Sequence, residues 1–514
     1  MLVTLGCAVT VLGFGIWICL SAASNIRGIE MNVVLSIQKM LIGEPLYTDP
    51  GDIPFDIAQY SPLYYLLCAG LAKLLAVSFD DPARVITLGR LVSLLITSLT
   101  IAGCFFFTKE TLGVRTPLAV ISSAFAFIAT SPWYFLARAD ALMCLTMLAS
   151  FAFAVASNSR HSALSYFYLL ISVCLGCASA LAKQSGVQTI IIVLFYLLFM
   201  RQFRKFAVVF AATAVVGGIA YGVLTHTYAQ LIPNVGGGLN TGVRIDNAFA
   251  KTYTVFFSNF SFLLGLTLLG MIHWARTGID DRHAFFMVSL PALLVFATVT
   301  ALKGGSAENY YNEFLIIGAI AAACYVQDTD PKGSSTPLMG DQRFLVTLVA
   351  SYLLCFLPYW TLVPQVARYY GWRINPRVSL LIPKDSLWSD NYRAVGRQLR
   401  ADLASDPEAR VLSFDLALNS VIPERCVVPQ KELAEAFYDR GIVDYSLFQH
   451  YVAQGRIKCV VTEGDARVPD SFLGANISDR FVLDRRIGEF AIYRWRNQSR
   501  SGVTRETDKC GARR

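Results

Sequence analysis

Lys303–Glu313 reads KGGSAENYYNE and joins two apolar segments of membrane length, Ala284–Leu302 and Phe314–Val326. A protein does not need a cation, amides, tyrosines and acids within one connecting loop in order to cross a bilayer. Ionisable groups at membrane depth commonly mark functional sites. Three further polar clusters fall on the same predicted side of the membrane: Arg27–Glu30 (RGIE), Arg138–Asp140 (RAD) and Lys183–Gly186 (KQSG). Together, the four clusters predict an active site at that face.

The composition is that of a polytopic α-helical membrane protein. Of 514 residues, 55% are hydrophobic and 16% are charged, and the mean hydropathy is +0.50. An apolar helix crosses the hydrocarbon core, about 30 Å thick, with about 20 residues. On this basis we expect about eleven spans: Leu2–Leu20, Leu91–Phe107, Leu118–Phe135, Ala141–Val155, Tyr166–Ala182, Val187–Met200, Phe206–Leu224, Tyr253–Ile272, Ala284–Leu302, Phe314–Val326 and Phe344–Val363.

The distribution of Lys and Arg in short loops predicts the orientation, because cytoplasmic loops carry an excess of both. With the N-terminus inside, the cytoplasmic turns are Lys109–Arg115, Asn158–His161, Arg201–Lys205, His273–Arg282 and Gln327–Arg343. We therefore expect a protein of the cytoplasmic (inner) membrane with an extracytoplasmic active site. The net charge of +8 is interpreted as attraction to anionic membrane lipids rather than to nucleic acid.

A long outer loop, Ser21–Arg90, separates the first two predicted spans. A helix is expected to start near Glu30 and to lie in the interface plane, because its apolar residues form one stripe. A second apolar stretch, Leu63–Val77, contains Lys73 and follows Ser-Pro, which favours an interfacial or re-entrant helix. If this stretch crosses the membrane instead, every later loop changes sides.

The apolar runs stop after Val363, and residues 366–498 are predicted to form a small extracytoplasmic α/β domain. Its expected elements are strands at Arg410–Phe414 and Lys458–Thr462, a helix near Lys431–Phe437 and a hairpin in Phe481–Trp495. Residues 499–514 are expected to be a disordered tail. The sequence leaves open whether Cys426 and Cys459 form a disulfide.

Several polar residues are candidates for chemistry, each with a structural alternative. Glu30 is either a general base or an acid favoured at a helix start. Arg138 and Asp140 are either functional or a helix-end ion pair. Lys183 and Lys303 are either membrane anchors or ligands of a phosphate. The candidate contacts to substrate are Asp49, Tyr60, Tyr64, Asp140, Asn309, Tyr310 and Glu313.

The order of these motifs resembles a known family. The motifs are an acid opening a long outer loop, Gly43-x-Pro-Leu-Tyr47, Tyr60-x-Pro-Leu-Tyr-Tyr65, Gly89-Arg-Leu-x-Ser93, Arg138-x-Asp140, Lys183-Gln-Ser185 and Asn309-Tyr310-x-x-Glu313. Over residues 1–365 the pattern is similar to the bacterial GT-C glycosyltransferases, which include relatives of protein O-mannosyltransferases, the aminoarabinose transferase acting on lipid A and RgtA/B/C/D-like enzymes.

The resemblance implies a GT-C-like transmembrane catalytic domain that transfers a sugar, with inversion, from a polyprenyl-phosphate carrier to a glycan, lipid or protein acceptor. It implies that Glu30 activates the acceptor hydroxyl, and that Arg138, Lys183 and Lys303 stabilise the departing phosphate. Many relatives carry an Asp-Glu pair where this chain has Ile29-Glu30. That difference leaves the need for a divalent metal open.

Two other functions are compatible with the same residues. A transporter or flippase of a lipid-linked glycan would place its polar groups near the bilayer midplane on broken helices, whereas these clusters gather at the ends of the spans. The third possibility is a non-catalytic membrane scaffold whose C-terminal domain binds partners, and a large distance between the Glu30 and Lys303 clusters would favour it.

Overall fold

The computed structural model of the chain describes residues 2–21, 30–159, 162–240, 242–255, 260–304, 306–329, 373–375, 380–382, 390–463 and 467–496. The helices before the first strand of this part are α1 Leu2–Ser21, α2 Glu30–Leu41, α3 Leu63–Leu74, α4 Pro82–Phe106, α5 Thr116–Tyr134, α6 Asp140–Ala156, α7 Ser162–Ala182, α8 Gln188–Phe199, α9 Phe203–Thr227, α10 Leu231–Leu239, α11 Ile245–Thr252, α12 Ser261–Thr277, α13 Asp281–Ala301 and α14 Asn312–Thr329. The predicted span Phe344–Val363 and the predicted tail 499–514 lie outside the described residues.

Four helical stretches in the described part are long and apolar enough to cross a membrane: Pro82–Thr111, Ala163–Ala182, Phe203–Thr227 and Asp281–Ala301. The first of them is α4 extended by a π-helical turn at Phe107–Thr111. Shorter apolar helices surround them, and each of the other predicted spans within the described residues overlaps a helix. The chain is therefore a helical membrane protein, but the expected count of eleven spans is not confirmed.

The two elements of the long loop between α1 and α4 are short helices. Both α2 and α3 have 12 residues, which is about 18 Å at 1.5 Å per residue and too short to cross the hydrocarbon core. The prediction for α2 assumed one apolar face and one solvated face. Instead, every residue from Glu30 to Lys39 is buried, because membrane helices cover one side of α2 and the C-terminal domain covers the other.

The C-terminal domain is built on a five-stranded mixed sheet. The nine strands of the described part are β1 Arg373–Asn375, β2 Leu380–Ile382, β3 Arg410–Ser413, β4 Cys426–Val427, β5 Ile457–Glu463, β6 Ser471–Phe472, β7 Ala475–Asn476, β8 Phe481–Ile487 and β9 Phe490–Trp495. The sheet order is β4-β3-β5-β9-β8, with β4 and β5 parallel to β3 and the last pair antiparallel. Its helices are α15 Asp390–Asp402, α16 Leu416–Asn419, α17 Lys431–Asp439 and α18 Ser446–Ala453. The expected strands, helix and hairpin are confirmed.

The position of the two domain cysteines answers the disulfide question. Cys426 on β4 and Cys459 on β5 are both buried free thiols, and both lie opposite Val411 of β3. Because one strand separates them, their Cα atoms are about 9–10 Å apart by strand spacing. A disulfide needs Cα atoms closer than about 7 Å, so these two cysteines do not pair.

The C-terminal domain is attached to the loop between α1 and α4 by the segment Ile53–Ile57, whose last three residues are buried. Phe55 and Ile57 belong to the domain's own apolar core, and the Phe55 ring lies 5.6 Å from that of Phe448. Val428 donates its N–H to the Pro54 carbonyl at 2.8 Å. The loop that opens the membrane domain therefore completes the core of the soluble domain.

We expect Gln430→Met to weaken this attachment, because the Gln430 Oε1 atom accepts the buried N–H of Ile57 at 3.0 Å. A buried N–H left without an acceptor costs about 1–3 kcal/mol, so the thermal unfolding midpoint in detergent should fall. Gln454→Met, at an exposed position, is the control and should leave the midpoint unchanged. Equal midpoints for the two variants would contradict this role of Gln430.

Candidate active site

Asp140 is the centre of a buried polar cluster at the start of α6. This residue is 1% exposed. Lys183 Nζ donates to Asp140 Oδ1 at 2.8 Å, and Asn309 Nδ2 donates to the same oxygen at 2.5 Å. Arg138 Nε donates to Asp140 Oδ2 at 3.0 Å. Three motifs that are far apart in the sequence therefore meet at one carboxylate.

Local structure explains why Lys183 reaches Asp140. Lys183 has extended backbone between α7 and a 3-10 turn at Gln184–Val187. This turn packs directly on α7, since a Cβ added to Gly186 would lie 2.2 Å from the Ser179 carbonyl oxygen. Only glycine fits such an approach. The Lys-Gln-Ser-Gly motif thus folds the chain back and directs the lysine into the cluster.

Aromatic rings enclose the two cations. Lys183 Nζ lies 4.2 Å from the centroid of the Tyr310 ring and 6.0 Å from that of Tyr60. The Arg138 guanidinium lies 5.2 Å from the centroid of the Trp133 ring, and it donates from Nη2 to the Tyr60 hydroxyl at 3.1 Å. Cation–π contacts of this kind stabilise a desolvated cation. The rings also keep water from the charges, which strengthens any further electrostatic contact made there.

Both cations remain charged in this setting. Burial by itself lowers the pKa of Lys183, but Asp140, with smaller contributions from Tyr310, Tyr60 and Glu313, more than offsets this effect and raises that pKa above its ordinary value. The pKa of Arg138 is likewise raised, because the neighbouring Tyr60 and Asp140 offset its burial. Burial raises the pKa of Tyr60 to about 12, so its phenol stays protonated at neutral pH.

Glu313 is a second buried carboxylate beside the cluster. It lies in the first turn of α14, is 2% exposed, and interacts electrostatically with Lys183. Its Oε2 atom has no hydrogen-bond partner within the described part of the chain. A buried acceptor without a partner costs free energy and is therefore available to a ligand. The structure thus brings Tyr60, Arg138, Asp140, Lys183, Asn309, Tyr310 and Glu313 together.

Glu30 occupies a separate site next to this cluster. Arg90 of α4 donates from Nε to Glu30 Oε1 at 2.8 Å and from Nη2 to Glu30 Oε2 at 2.7 Å. The Ala137 N–H donates to the same Oε1 at 2.8 Å, and both charged side chains are 0% exposed. Since Ala137 precedes Arg138, the Glu30 carboxylate is fixed against the segment that carries one of the cluster's cations.

Three other candidate residues make no hydrogen bond to the Asp140 cluster among the described residues. Asp49 is exposed and accepts the N–H of Gly51, forming a turn. The Tyr64 hydroxyl bonds to the Gly89 carbonyl and to Ser93, so it joins α3 to α4. Lys303 pairs through its backbone with Val243, and no hydrogen bond or ion pair of its side chain occurs among the described residues. Lys183 therefore belongs to the Asp140 cluster, whereas no contact among the described residues places the Lys303 side chain there, and the role that the sequence suggested for Lys303 stays a prediction.

Two contributions to the site were missed from the sequence. In the sequence Arg90 appears only within the Gly89-Arg-Leu-x-Ser93 motif, although a lone arginine at the edge of an apolar span is itself a signal for a buried partner. Gln59 and Gln184 flank the cluster and are joined by a hydrogen bond from Gln184 Nε2 to the Gln59 carbonyl at 2.8 Å. No periodicity or charge pattern marks this amide pair.

The paired carboxylates Asp140 and Glu30 do not fit a divalent metal. No group of three or more His, Cys, Asp or Glu side chains that could hold a metal occurs in the described part of the chain. Asp140 is paired with Lys183 and Arg138, and Glu30 is paired with Arg90. Mg²⁺ and Ca²⁺ require several oxygen ligands around one position, and buried cations already occupy these oxygens.

Comparison with solved structures confirms the GT-C fold. The chain is similar to ArnT from Cupriavidus metallidurans bound to undecaprenyl phosphate, with 13% identity and a TM-score of 0.57 over 96% of this chain and 97% of that one. Against the apo state of the same ArnT the TM-score is 0.60. It is also similar to the archaeal oligosaccharyltransferase AglB from Archaeoglobus fulgidus in complex with an inhibitory peptide and a dolichol-phosphate, with 12% identity and a TM-score of 0.57 over 89% and 69% of the two chains.

Both neighbours belong to the GT-C superfamily, so the fold expected from the sequence motifs is the fold observed. No protein-family model matches the sequence, and no curated protein matches it. At 12–13% identity the similarity to these solved structures defines the fold of the chain and not its activity.

Proposed function

We propose that this chain is a membrane glycosyltransferase that transfers a sugar from a polyprenyl-phosphate donor to an extracytoplasmic acceptor. The observation that carries the proposal is the convergence of Arg138 and Lys183, both buried, on Asp140. The similar ArnT and AglB structures contain undecaprenyl phosphate and a dolichol-phosphate. A site for a lipid phosphate therefore agrees with both the local chemistry and the fold.

The donor phosphate is held by donors that the cluster leaves free. Lys183 has three N–H donors and Arg138 has five, whereas Asp140 and Tyr60 take one from the lysine and two from the arginine. The remaining N–H groups can bind phosphate oxygens through charge-assisted hydrogen bonds. As the sugar departs, charge grows on the phosphate, and fixed cations stabilise that transition state more than the ground state.

Glu30 is the proposed general base. The acceptor hydroxyl oxygen bonds to the anomeric carbon, the bond from that carbon to the phosphate oxygen breaks, the phosphate leaves with the electron pair, and the hydroxyl proton passes to Glu30. In an inverting displacement the base and the leaving group lie on opposite faces of the sugar. The position of Glu30 beside the cluster but outside it suits that arrangement. Because Glu30 is fully buried, the acceptor reaches it only when the surrounding contacts open.

Glu313 is a second candidate for the base, favoured by its unpartnered Oε2 atom. If it accepts the proton, Glu313→Gln should lower turnover by about a hundredfold or more without changing the thermal unfolding midpoint. If Glu30 is the base, as proposed, Glu313→Gln should change turnover by less than about tenfold, the effect of one hydrogen bond near 1 kcal/mol. Turnover measured in proteoliposomes separates the two assignments.

The proposed activity is tested by incubating the purified protein with polyprenyl-phosphate sugars and membrane extracts that contain acceptors. We expect release of polyprenyl phosphate and a labelled acceptor. Asp49→Asn alters an exposed turn and should retain activity as the control. Movement of the intact lipid-linked sugar across the bilayer, with no bond to the phosphate broken, would instead identify a flippase. Inactivity and lack of transport with every donor would favour a scaffold.

A further inference from the structure

Residues 231–252, containing α10 and α11, form a segment with unusually exposed apolar side chains. We name it the interfacial segment. Five of its large apolar residues are between 54% and 75% exposed: Ile232, Leu239, Val243, Ile245 and Phe249. Burying one such side chain away from water is worth about 1.5–3 kcal/mol. Their exposure outside the long apolar helices therefore indicates a surface that something apolar covers.

Helix α11 has two different faces. Ile245 and Phe249 are four residues apart and so project from the same side of the helix, where both are exposed. Asn247 lies on another side and donates from Nδ2 to the Ala301 carbonyl at 3.0 Å and to Ser306 Oγ at 2.7 Å. The polar side of α11 is thus attached to the connection that follows α13, and its apolar side is left uncovered.

Further contacts tie the interfacial segment to the loop that enters the active site. Lys251 Nζ pairs with Glu308 Oε1 at 2.9 Å, and the Thr252 and Tyr311 hydroxyls are 2.6 Å apart. Glu308 and Tyr311 belong to the same 3-10 turn as Asn309, which binds Asp140. A displacement of α11 would therefore move the 3-10 turn at Glu308–Tyr311, and with it Asn309 of the Asp140 cluster.

The uncovered side lies beside two long helices whose apolar side chains are also exposed. Helix α9, which ends four residues before the segment, is exposed along most of its length, including Ile219 and Val223. Helix α13, whose last residue is bonded to Asn247, exposes Val295 and Val299. Since both helices are long and apolar enough to cross the membrane, the interfacial segment lies where they leave it.

We propose that the interfacial segment inserts its apolar side into the membrane leaflet on the side of the Asp140 cluster, with phospholipid acyl chains as its partner. Amphipathic helices of this kind lie in the interface plane with their apolar face a few ångströms below the headgroups. The inserted segment holds the 302–311 loop at the membrane surface, so that a lipid-borne headgroup meets Asn309 and Tyr310 without leaving the bilayer. The insertion itself does not depend on the transferase activity.

The experiment replaces Phe249, and separately Ile245, with the photoreactive amino acid benzoylphenylalanine in the full-length chain. Each variant is reconstituted in phosphatidylcholine and phosphatidylglycerol vesicles and irradiated, and the products are identified by mass spectrometry. The control carries the same group at Leu483, an exposed apolar residue on β8 of the soluble domain. A monodisperse size-exclusion profile establishes that each variant is folded.

We expect phospholipid adducts at positions 249 and 245, at least about tenfold above the yield at position 483, because acyl chains surround only the first two. Yields at 249 and 245 equal to the control, or crosslinks to a second copy of the chain, would overturn the proposal. Loss of lipid-phosphate binding would not affect this result, so failure of the proposed function is distinguishable from failure of the insertion.

Discussion

Arg90→Met is expected to destabilise the protein by about 3–5 kcal/mol, the usual cost of removing one partner of a buried ion pair. The variant leaves the Glu30 carboxylate at 0% exposure without its bidentate partner. It also removes the donor to the Ile18 carbonyl. The measurement is the thermal unfolding midpoint in detergent, with Arg84→Met as the matched control, because Arg84 is a largely exposed arginine in the first turn of α4. Equal midpoints would contradict the proposed importance of the pair.

The double variant Glu30→Gln/Arg90→Met separates stability from catalysis. Replacing both charges of a buried pair is often close to neutral, so most of the lost stability should return. If Glu30 is the base, the folded double variant should still turn over about a hundredfold more slowly or worse, because glutamine cannot accept the proton. Near-normal transfer by this variant would assign Glu30 a purely structural role and leave Glu313 as the candidate.

The sequence predicted which residues belong to the site better than it predicted which of their side chains contact each other. Arg138, Lys183 and Asn309 stood out as polar groups at the ends of apolar helices, and the structure gathers all three. Asp140 was a candidate too, but its role as the common partner of Lys183 and Asn309 could not be predicted, because contacts across 43 and 169 positions leave no local pattern. The same holds for Arg90 and Glu30, which are 60 positions apart.

The limit of what the sequence can predict about the site is clearest for Lys183 and Lys303. Each is a lysine at the start of a polar loop on the same predicted side of the membrane. Residue type and position therefore make the two equally good candidates for binding the donor phosphate. The close packing of Gly186 on Ser179 turns only Lys183 towards Asp140. The number of membrane-spanning helices is also hard to predict from the sequence. A short helix buried among other helices and a membrane-spanning helix can have the same hydropathy.

The donor site should depend on Lys183 and not on Lys303. Losing one charge-assisted contact to the phosphate costs about 1.5–3 kcal/mol, which is about a 10- to 100-fold increase in Kd. Lys183→Met should therefore weaken binding of undecaprenyl phosphate by that factor. Asp140→Asn removes the common partner of Lys183 and Arg138, so it should lower the thermal unfolding midpoint, as removal of one partner of a buried ion pair does.

The most direct test of the phosphate site is the Kd of purified protein for undecaprenyl phosphate in nanodiscs, measured for the wild type, Lys183→Met and Lys303→Met. Thermal unfolding of each sample identifies variants that are folded at the temperature of the titration. We predict weaker binding by about 10- to 100-fold for Lys183→Met and unchanged binding for Lys303→Met. Unchanged binding by folded Lys183→Met protein would contradict the assignment of the Asp140 cluster as the site of the lipid phosphate.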